Sequence, residues 1–183
     1  MKKVDLSKFD NSFFEIGANF FKNTIWYFIN AIIFKSSFFP FYKLKVFLLK
    51  IFGSKIGKNV LIKPCVNIKY PWKLEIKNNV WIGENVWIDN LDFIKIGNNV
   101  CISQGSILLC GNHDFKKESF ELITGKIILE DGVWIGAKSF VCSGVTCFSH
   151  SVLSVNSVAN KNLKAYTIYQ GNPAKEVRER KIL

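Results

Sequence analysis

The 183-residue chain contains two histidines in different settings. His113 lies in the polar stretch Gly111-Asn112-His113-Asp114, just after Cys110, and His150 lies in Phe148-Ser149-His150-Ser151. An imidazole titrates near neutrality, so one held in a loop suits the removal of a proton from a hydroxyl as its oxygen attacks an acyl carbon. Cys110, His113 and Asp114 are also metal-ligating types, but a metal would need further ligands from distant sequence. His113 is the candidate general base, no metal is expected, and His150 reads as a surface side chain.

The elements that must position His113 follow from a six-residue repeat. Aliphatic residues recur at Ile56, Ile62 and Ile68, at Ile76, Ile82 and Ile88, at Ile96, Ile102 and Leu108, and at Leu129, Ile135 and Val141, with Cys147, Leu153 and Ala159 closing the series. A small or β-branched residue recurs four positions later, as at Val60, Val86, Ser106 and Ser139. Neither the helical period of 3.6 nor simple alternation gives this frame. It predicts an all-β solenoid, a parallel β-helix of triangular section in which three hexads make one coil and stacking buries the interior.

The repeat breaks in three places, by two residues after Ile68, two after Ile88 and fifteen after Leu108. Each break follows the third hexad of a coil, so the insertions stack at one corner. Loops gathered on one edge of a rigid scaffold are where chemistry is expected. The resulting division is a helical segment at 1–55, a β-helix at 56–170 with an active-site loop at 109–126, and a cap at 171–183 containing a short charged helix over Glu176-Val177-Arg178-Glu179-Arg180.

The first segment holds twelve of the seventeen Phe, and residues 16–74 contain ten Lys but no Arg, Asp or Glu, within a formal charge of +11. Two stretches, Phe20 to Lys35 and Phe41 to Phe52, read as helices, the second set off by Pro40 and Gly53. Only twelve residues separate Lys22 from Lys35, fewer than the ~20 a membrane span needs. The helices have two compatible roles: covering the open end of the solenoid, and peripheral contact of residues 13–52 with a phospholipid surface. No nucleic-acid module appears, and no nucleic-acid partner is expected. Five Cys, an odd number without a cleavable leader, point to reduced thiols in a bacterial-type cytoplasm, at the inner face of the membrane where the helices touch lipid.

The hexad frame, the loop Gly111-Asn112-His113-Asp114, the stretch Leu129-Glu130-Asp131-Gly132-Val133-Trp134-Ile135-Gly136-Ala137 and the tail Gly171-Asn172-Pro173-Ala174-Lys175 together resemble the hexapeptide-repeat acetyltransferases, nearest to the WcaF-like exopolysaccharide O-acetyltransferases. The resemblance covers roughly residues 50–180 and implies a left-handed β-helix, a homotrimer with active sites between subunits, and acetyl-CoA as acyl donor. By the same resemblance His113 is the catalytic base. Asn85 and Asn90, with the neighbouring carboxylates Asp89 and Asp92, would bind the acceptor, although Asn90 stands where the family has Asp. Ala137, Val155, Asn160, Lys161 and Arg178 match positions that bind CoA, the last two suiting its phosphates. Ser154-Val155-Asn156-Ser157 replaces a Gly-Ala-Gly-Ser run, and Asn160 replaces the usual Thr.

The activity this implies is acetyl transfer to a sugar hydroxyl of a polysaccharide, glycolipid or precursor. Transfer to the amino group of a nucleotide-linked sugar is the alternative that keeps fold and donor. A non-catalytic scaffold is a further alternative, and a zinc hydratase of this architecture would need three histidines where the chain has two.

Overall fold

A computed structural model describes residues 3–183. Fifteen short strands, β1 to β9 over residues 55–109 and β12 to β17 over residues 127–159, wind into five coils of three. Like strands stack in parallel into three faces. Face A holds β1 (Lys55–Ile56), β4 (Leu74–Ile76), β7 (Ile94–Ile96), β12 (Ile127–Leu129) and β15 (Thr146–Cys147). Face B runs through β2 (Leu61–Ile62), β5 (Trp81–Ile82), β8 (Cys101–Ile102), β13 (Trp134–Ile135) and β16 (Val152–Leu153) to β18 (Thr167–Gln170). Face C holds β3 (Asn67–Ile68), β6 (Trp87–Asp89), β9 (Ile107–Leu109), β14 (Phe140–Val141) and β17 (Val158–Ala159). This is the parallel β-helix expected from the hexads, with the left hand that the family resemblance implied.

The repeat explains the packing directly. The second residue of each two-residue strand points inward, and Ile62, Ile82, Ile102, Ile135 and Leu153 form one fully buried column on face B. The residue two places before each inward one fills the corner, as Val60, Val80, Val100 and Val133 do. At the corner between faces A and B and at that between B and C, one residue of each coil adopts a left-handed φ, which Gly and Asn tolerate best. Between faces A and B that column is Asn59, Asn79, Asn99, Gly132, His150 and Tyr166. The asparagines also bond to one another, Asn59 to Asn79 at 3.0 Å and Asn79 to Asn99 at 3.1 Å.

The two ends are closed differently. Helix α1 (Phe20–Ile29) continues as a π-helical turn over Asn30–Phe34 and is followed by α2 (Tyr42–Ile51). On the first coil alternate residues face the second coil, where the N–H groups of Leu61 and Lys69 donate to the carbonyls of Val80 and Ile88, and the residues between them face the open end, where the Ile68 N–H donates to Asn30 Oδ1 at 3.3 Å. Trp26 Nε1 donates to the Ile68 carbonyl and Lys45 Nζ to the Lys63 carbonyl, both at 2.9 Å. The helices therefore satisfy an edge that would otherwise be orphaned. Among the described residues no helix is long and apolar enough to cross a membrane.

At the other end the expected charged helix over Glu176–Arg180 does not form. Lys175–Glu179 is instead a strand, β19, paired antiparallel with β18 through Thr167 to Glu179 and Gln170 to Lys175. The last coil offers an open ladder, and pairing with it satisfies more backbone groups than one turn of exposed helix.

Candidate active site

Strand register places the three insertions in a column. Ile68, Ile88 and Leu108 pair in sequence on face C, as do Ile76, Ile96 and Leu129 on face A, so every extra residue leaves at the corner between those faces. The long insertion forms a hairpin in which β10 (Gly111–His113) pairs antiparallel with β11 (Leu122–Thr124). A Cβ on Gly111, where the hairpin starts, would lie 2.5 Å from Leu91 Cδ1 of the insertion below, so the Leu91 side chain packs against the bare backbone there.

His113 is held on two sides of this hairpin. Its ring stacks on Phe120, 4.5 Å between centroids and 8° from parallel, and its Nδ1 is 2.9 Å from the Phe120 carbonyl oxygen. A carbonyl only accepts, so Nδ1 carries the proton in the neutral ring and Nε2 keeps its lone pair. Phe120 reaches this position with φ +51, a conformation costly for a side chain of its size. Neither the stack nor the carbonyl contact was legible in the sequence, since no residue pattern marks an aromatic with left-handed φ.

An N-terminal strap also runs along the column. Phe9 places its ring 5.9 Å from that of His113, the Asp5 N–H donates to the Glu118 carbonyl at 2.9 Å, and Lys8 pairs with Glu118 at 2.6 Å. Lower down, Trp72 Nε1 donates to the Ile16 carbonyl at 2.7 Å, and Lys73 Nζ bridges the carbonyls of Glu15 and Leu91. Burial pulls the Lys73 ammonium below the usual lysine range.

The expected acceptor residues separate into different environments. Asp89 is buried beneath Leu109, with Lys69 Nζ 3.0 Å from its Oδ1 in an ion pair without hydrogen-bond geometry, and its Oδ2 faces the start of the His113 hairpin at Gly111. Asp92 is half-buried and accepts from the Phe93 N–H at 2.6 Å. Asn90 is fully buried and committed to the chain itself: its Oδ1 accepts from the Tyr70 N–H at 2.9 Å and its Nδ2 donates to the Tyr70 carbonyl. It clamps one insertion to the next, which an Asp could not do with both groups. Asn85 is exposed at the other end of face C, in the left-handed position of the corner between faces B and C.

The residues expected at the acyl donor divide in the same way. Ala137, Val155 and Arg178 line one groove of about 550 Å³ along face B and its corner with face C. Ser103, Gln104, Trp134, Gly136 and Arg180 line it too and were not singled out by sequence. Arg180 is anchored by Nη1 to the carbonyls of Gly132 and His150. Asn160 and Lys161 are exposed after β17, at the corner that carries the insertions, and do not line this groove. Asn85 and Asn90 are five extended residues apart, so the two corners stand roughly 15 Å from each other at about 3.3 Å per residue. One chain thus carries its histidine at one corner and its groove at another.

The second histidine has a different setting. His150 is half-buried rather than freely exposed: it occupies a corner position, stacks on Tyr166 at 4.7 Å and lies 2.7 Å from Ser149 Oγ through Nδ1. Near His113, burial pushes the Cys110 thiol up to about 12, so it stays protonated at neutral pH. Among the described residues no three His, Cys, Asp or Glu converge as a metal site would require.

No family model matches the chain. It is 39% identical over 164 residues to the "Putative colanic acid biosynthesis acetyltransferase WcaF" of Escherichia coli K12, across 90% of each chain. Its fold superposes on the hexapeptide-repeat-containing acetyltransferase VCA0836 of Vibrio cholerae with a TM-score of 0.79 at 24% identity, covering 88% of this chain and 92% of that one. A galactoside acetyltransferase solved in complex with coenzyme A gives 0.76 at 21% identity, over 86% and 80%. The two structures speak for the fold, and the identity to the first relative across nine-tenths of both chains settles the lineage: this protein belongs to the hexapeptide-repeat acetyltransferases and is an acyltransferase.

Proposed function

We propose that the protein transfers an acetyl group from acetyl-CoA to a sugar hydroxyl of a cell-surface polysaccharide, glycolipid or precursor, with His113 as general base. The observation that carries this reading is the Nδ1 contact to the Phe120 carbonyl, which leaves Nε2 as the basic atom. Nε2 takes the hydroxyl proton as the acceptor oxygen attacks the thioester carbonyl. The tetrahedral oxyanion collapses, the C–S bond breaks, and the departing thiolate recovers the proton from the imidazolium. The acyl donor is assigned by the colanic-acid relative and by the groove, whose Arg178 and Arg180 suit phosphates while its Gly136 and Ala137 leave room for a flat arm.

The separation of hairpin and groove supports a homotrimer in which the His113 corner of one copy meets the groove of the next. The outward side chains of the faces agree with this. Face A presents Lys55, Glu75, Lys95, Ile128 and Thr146, three of them charged, whereas face C, spanning the two corners in question, presents Asn67, Trp87, Ile107, Phe140 and Val158; face B is also apolar outward, through Leu61, Trp81, Trp134 and Val152, and carries the groove. Packing through face C would bring Asn160 and Lys161 of one copy to the donor of another, and Asn85, Asp89 and Asp92 to the acceptor. Asn90 serves as the clamp beneath them. Contact of residues 13–52 with a lipid surface would bring such a trimer to an acceptor carried on lipid.

The test is thiol release from acetyl-CoA against a panel of hydroxyl sugars, amino sugars and lipid-linked sugar extracts. Turnover with a hydroxyl acceptor is expected. Turnover confined to amino sugars would transfer the assignment to N-acetylation, which the same base can serve, and failure to bind acetyl-CoA at all would refute the reading.

A further inference from the structure

The helices that close the first coil have two apolar sides, and only one of them is used. Trp26, Phe34 and Leu49 face the solenoid and are buried, with Trp26 and Lys45 bonded to first-coil carbonyls that open along the solenoid axis. Phe21, Ile25, Phe28 and Ile32, at spacings of four, three and four, form a stripe on the opposite side, with Phe21 75% exposed. On α2 the same holds for Leu44, Phe47 and Ile51, with Phe47 59% exposed. Large apolar side chains ranged on one outward surface call for an apolar neighbour. Because the inner faces rest on the end of the prism, the outer stripes look away from it along the axis.

Charge identifies that neighbour. Lys35, Lys43 and Lys50 are exposed on or beside these helices, and residues 16–74 contain no Asp or Glu to neutralise them. A second copy docked face to face would set lysine against lysine with no acidic partner, and a nucleic acid would leave the aromatic stripes in water. A bilayer with anionic headgroups satisfies both features, taking the rings into the acyl boundary and the ammonium groups at the phosphates.

We infer that the outer faces of α1 and α2 form a docking surface for an anionic phospholipid bilayer, on which the solenoid stands end-on. The His113 corner then rises along the side of the prism, next to the membrane plane and not buried in it.

The test uses the full purified chain and sedimentation with phosphatidylcholine vesicles, with and without phosphatidylglycerol. No acyl acceptor is present, so the outcome is independent of the transferase reading. The wild type is expected to pellet with the anionic vesicles and to be released by salt. A Phe21→Ser, Phe28→Ser, Phe47→Ser variant and, separately, a Lys35→Glu, Lys43→Glu, Lys50→Glu variant are expected to lose partitioning on the order of 10-fold or more, with unchanged melting temperatures. A wild type that stays in the supernatant overturns the inference, as do variants that fold and bind like wild type. If the substitutions instead lower the molar mass by light scattering, the surface belongs to a second copy and the lipid assignment is wrong.

Discussion

His113 and Phe120 make two contacts at once: their rings stack at 4.5 Å, and the Phe120 carbonyl oxygen lies 2.9 Å from the imidazole Nδ1. One residue thereby sets both the plane and the tautomer of the proposed base. His113→Gln, which keeps a polar side chain of similar reach but cannot cycle a proton, is expected to slow thiol release on the order of 10²-fold or more. Acetyl-CoA binding by equilibrium dialysis should be unchanged. A variant as fast as wild type would remove His113 from the mechanism.

The donor groove depends on a missing side chain. A Cβ on Gly136 would lie 2.6 Å from the Val155 backbone nitrogen and 2.7 Å from the Leu153 carbonyl oxygen, rigid atoms of the next coil. Gly136→Ala must push the fourth and fifth coils apart, which overpacking of this kind makes about 1–3 kcal/mol destabilising. Since Gly136 lines the groove between Ala137 and Val155, CoA affinity should fall with stability. Denaturant unfolding and CoA titration of the same variant check both effects, and retention of wild-type stability would show that the coils yield more easily than their backbone contacts imply.

These two sites also show what the sequence could and could not reveal. The hexads specified inward positions, and counting the breaks located the insertion column, because both follow from a fixed period along the chain. Ala137, Val155 and Arg178 meet in one groove, and Asn160 and Lys161, which carry the same expectation, lie away from it. Asn90 bears the same kind of label, yet its amide is consumed by Tyr70, a contact created by stacking of insertions that no local pattern encodes. Phe9 and Phe120 were equally invisible, since each reaches His113 through a loop with no repeat. Glu176–Arg180 reads as a helix by composition, and Lys175–Glu179 forms a strand because the preceding coil presents an open edge.

The cap makes a thermodynamic prediction. Trp26→Phe keeps most of the buried ring but removes the donor to the Ile68 carbonyl, so it should cost about 1–3 kcal/mol of stability, the usual penalty for a buried group left unsatisfied. Thermal unfolding reads this directly, and a melting temperature equal to wild type would mean that water reaches the carbonyl.

Lys45 gives the same end of the solenoid a pH dependence. Burial pulls its ammonium below the ordinary 10.5 in the folded chain. Between the folded value and 10.5 the unfolded chain binds a proton that the folded chain does not, so stability contributed by this site rises with pH across that window and is flat below it. In Lys45→Met this contribution is lost and the alkaline rise should be shallower, leaving that of Lys73, whose ammonium is likewise pulled down by burial. The comparison is denaturant unfolding of both proteins at several alkaline pH values below 10.5, and parallel slopes would exclude Lys45 as their source.

The distance between hairpin and groove gives the sharpest test of a site shared between copies. His113→Gln disables one corner of a chain and Arg178→Ala weakens the groove at the other, so each variant alone should be poor at low acetyl-CoA. If each site joins the hairpin of one copy to the groove of the next, unfolding and refolding the two variants together must regenerate intact pairs, about a quarter of all sites in randomly mixed trimers. Activity per chain should then rise above either parent and fall again when one variant is in large excess. If every site lay within a single chain, each would carry one defect or the other, and mixing could restore nothing. A rise on mixing therefore requires a partner's residue in the active site, and unchanged activity in verified mixed oligomers would confine the site to one chain.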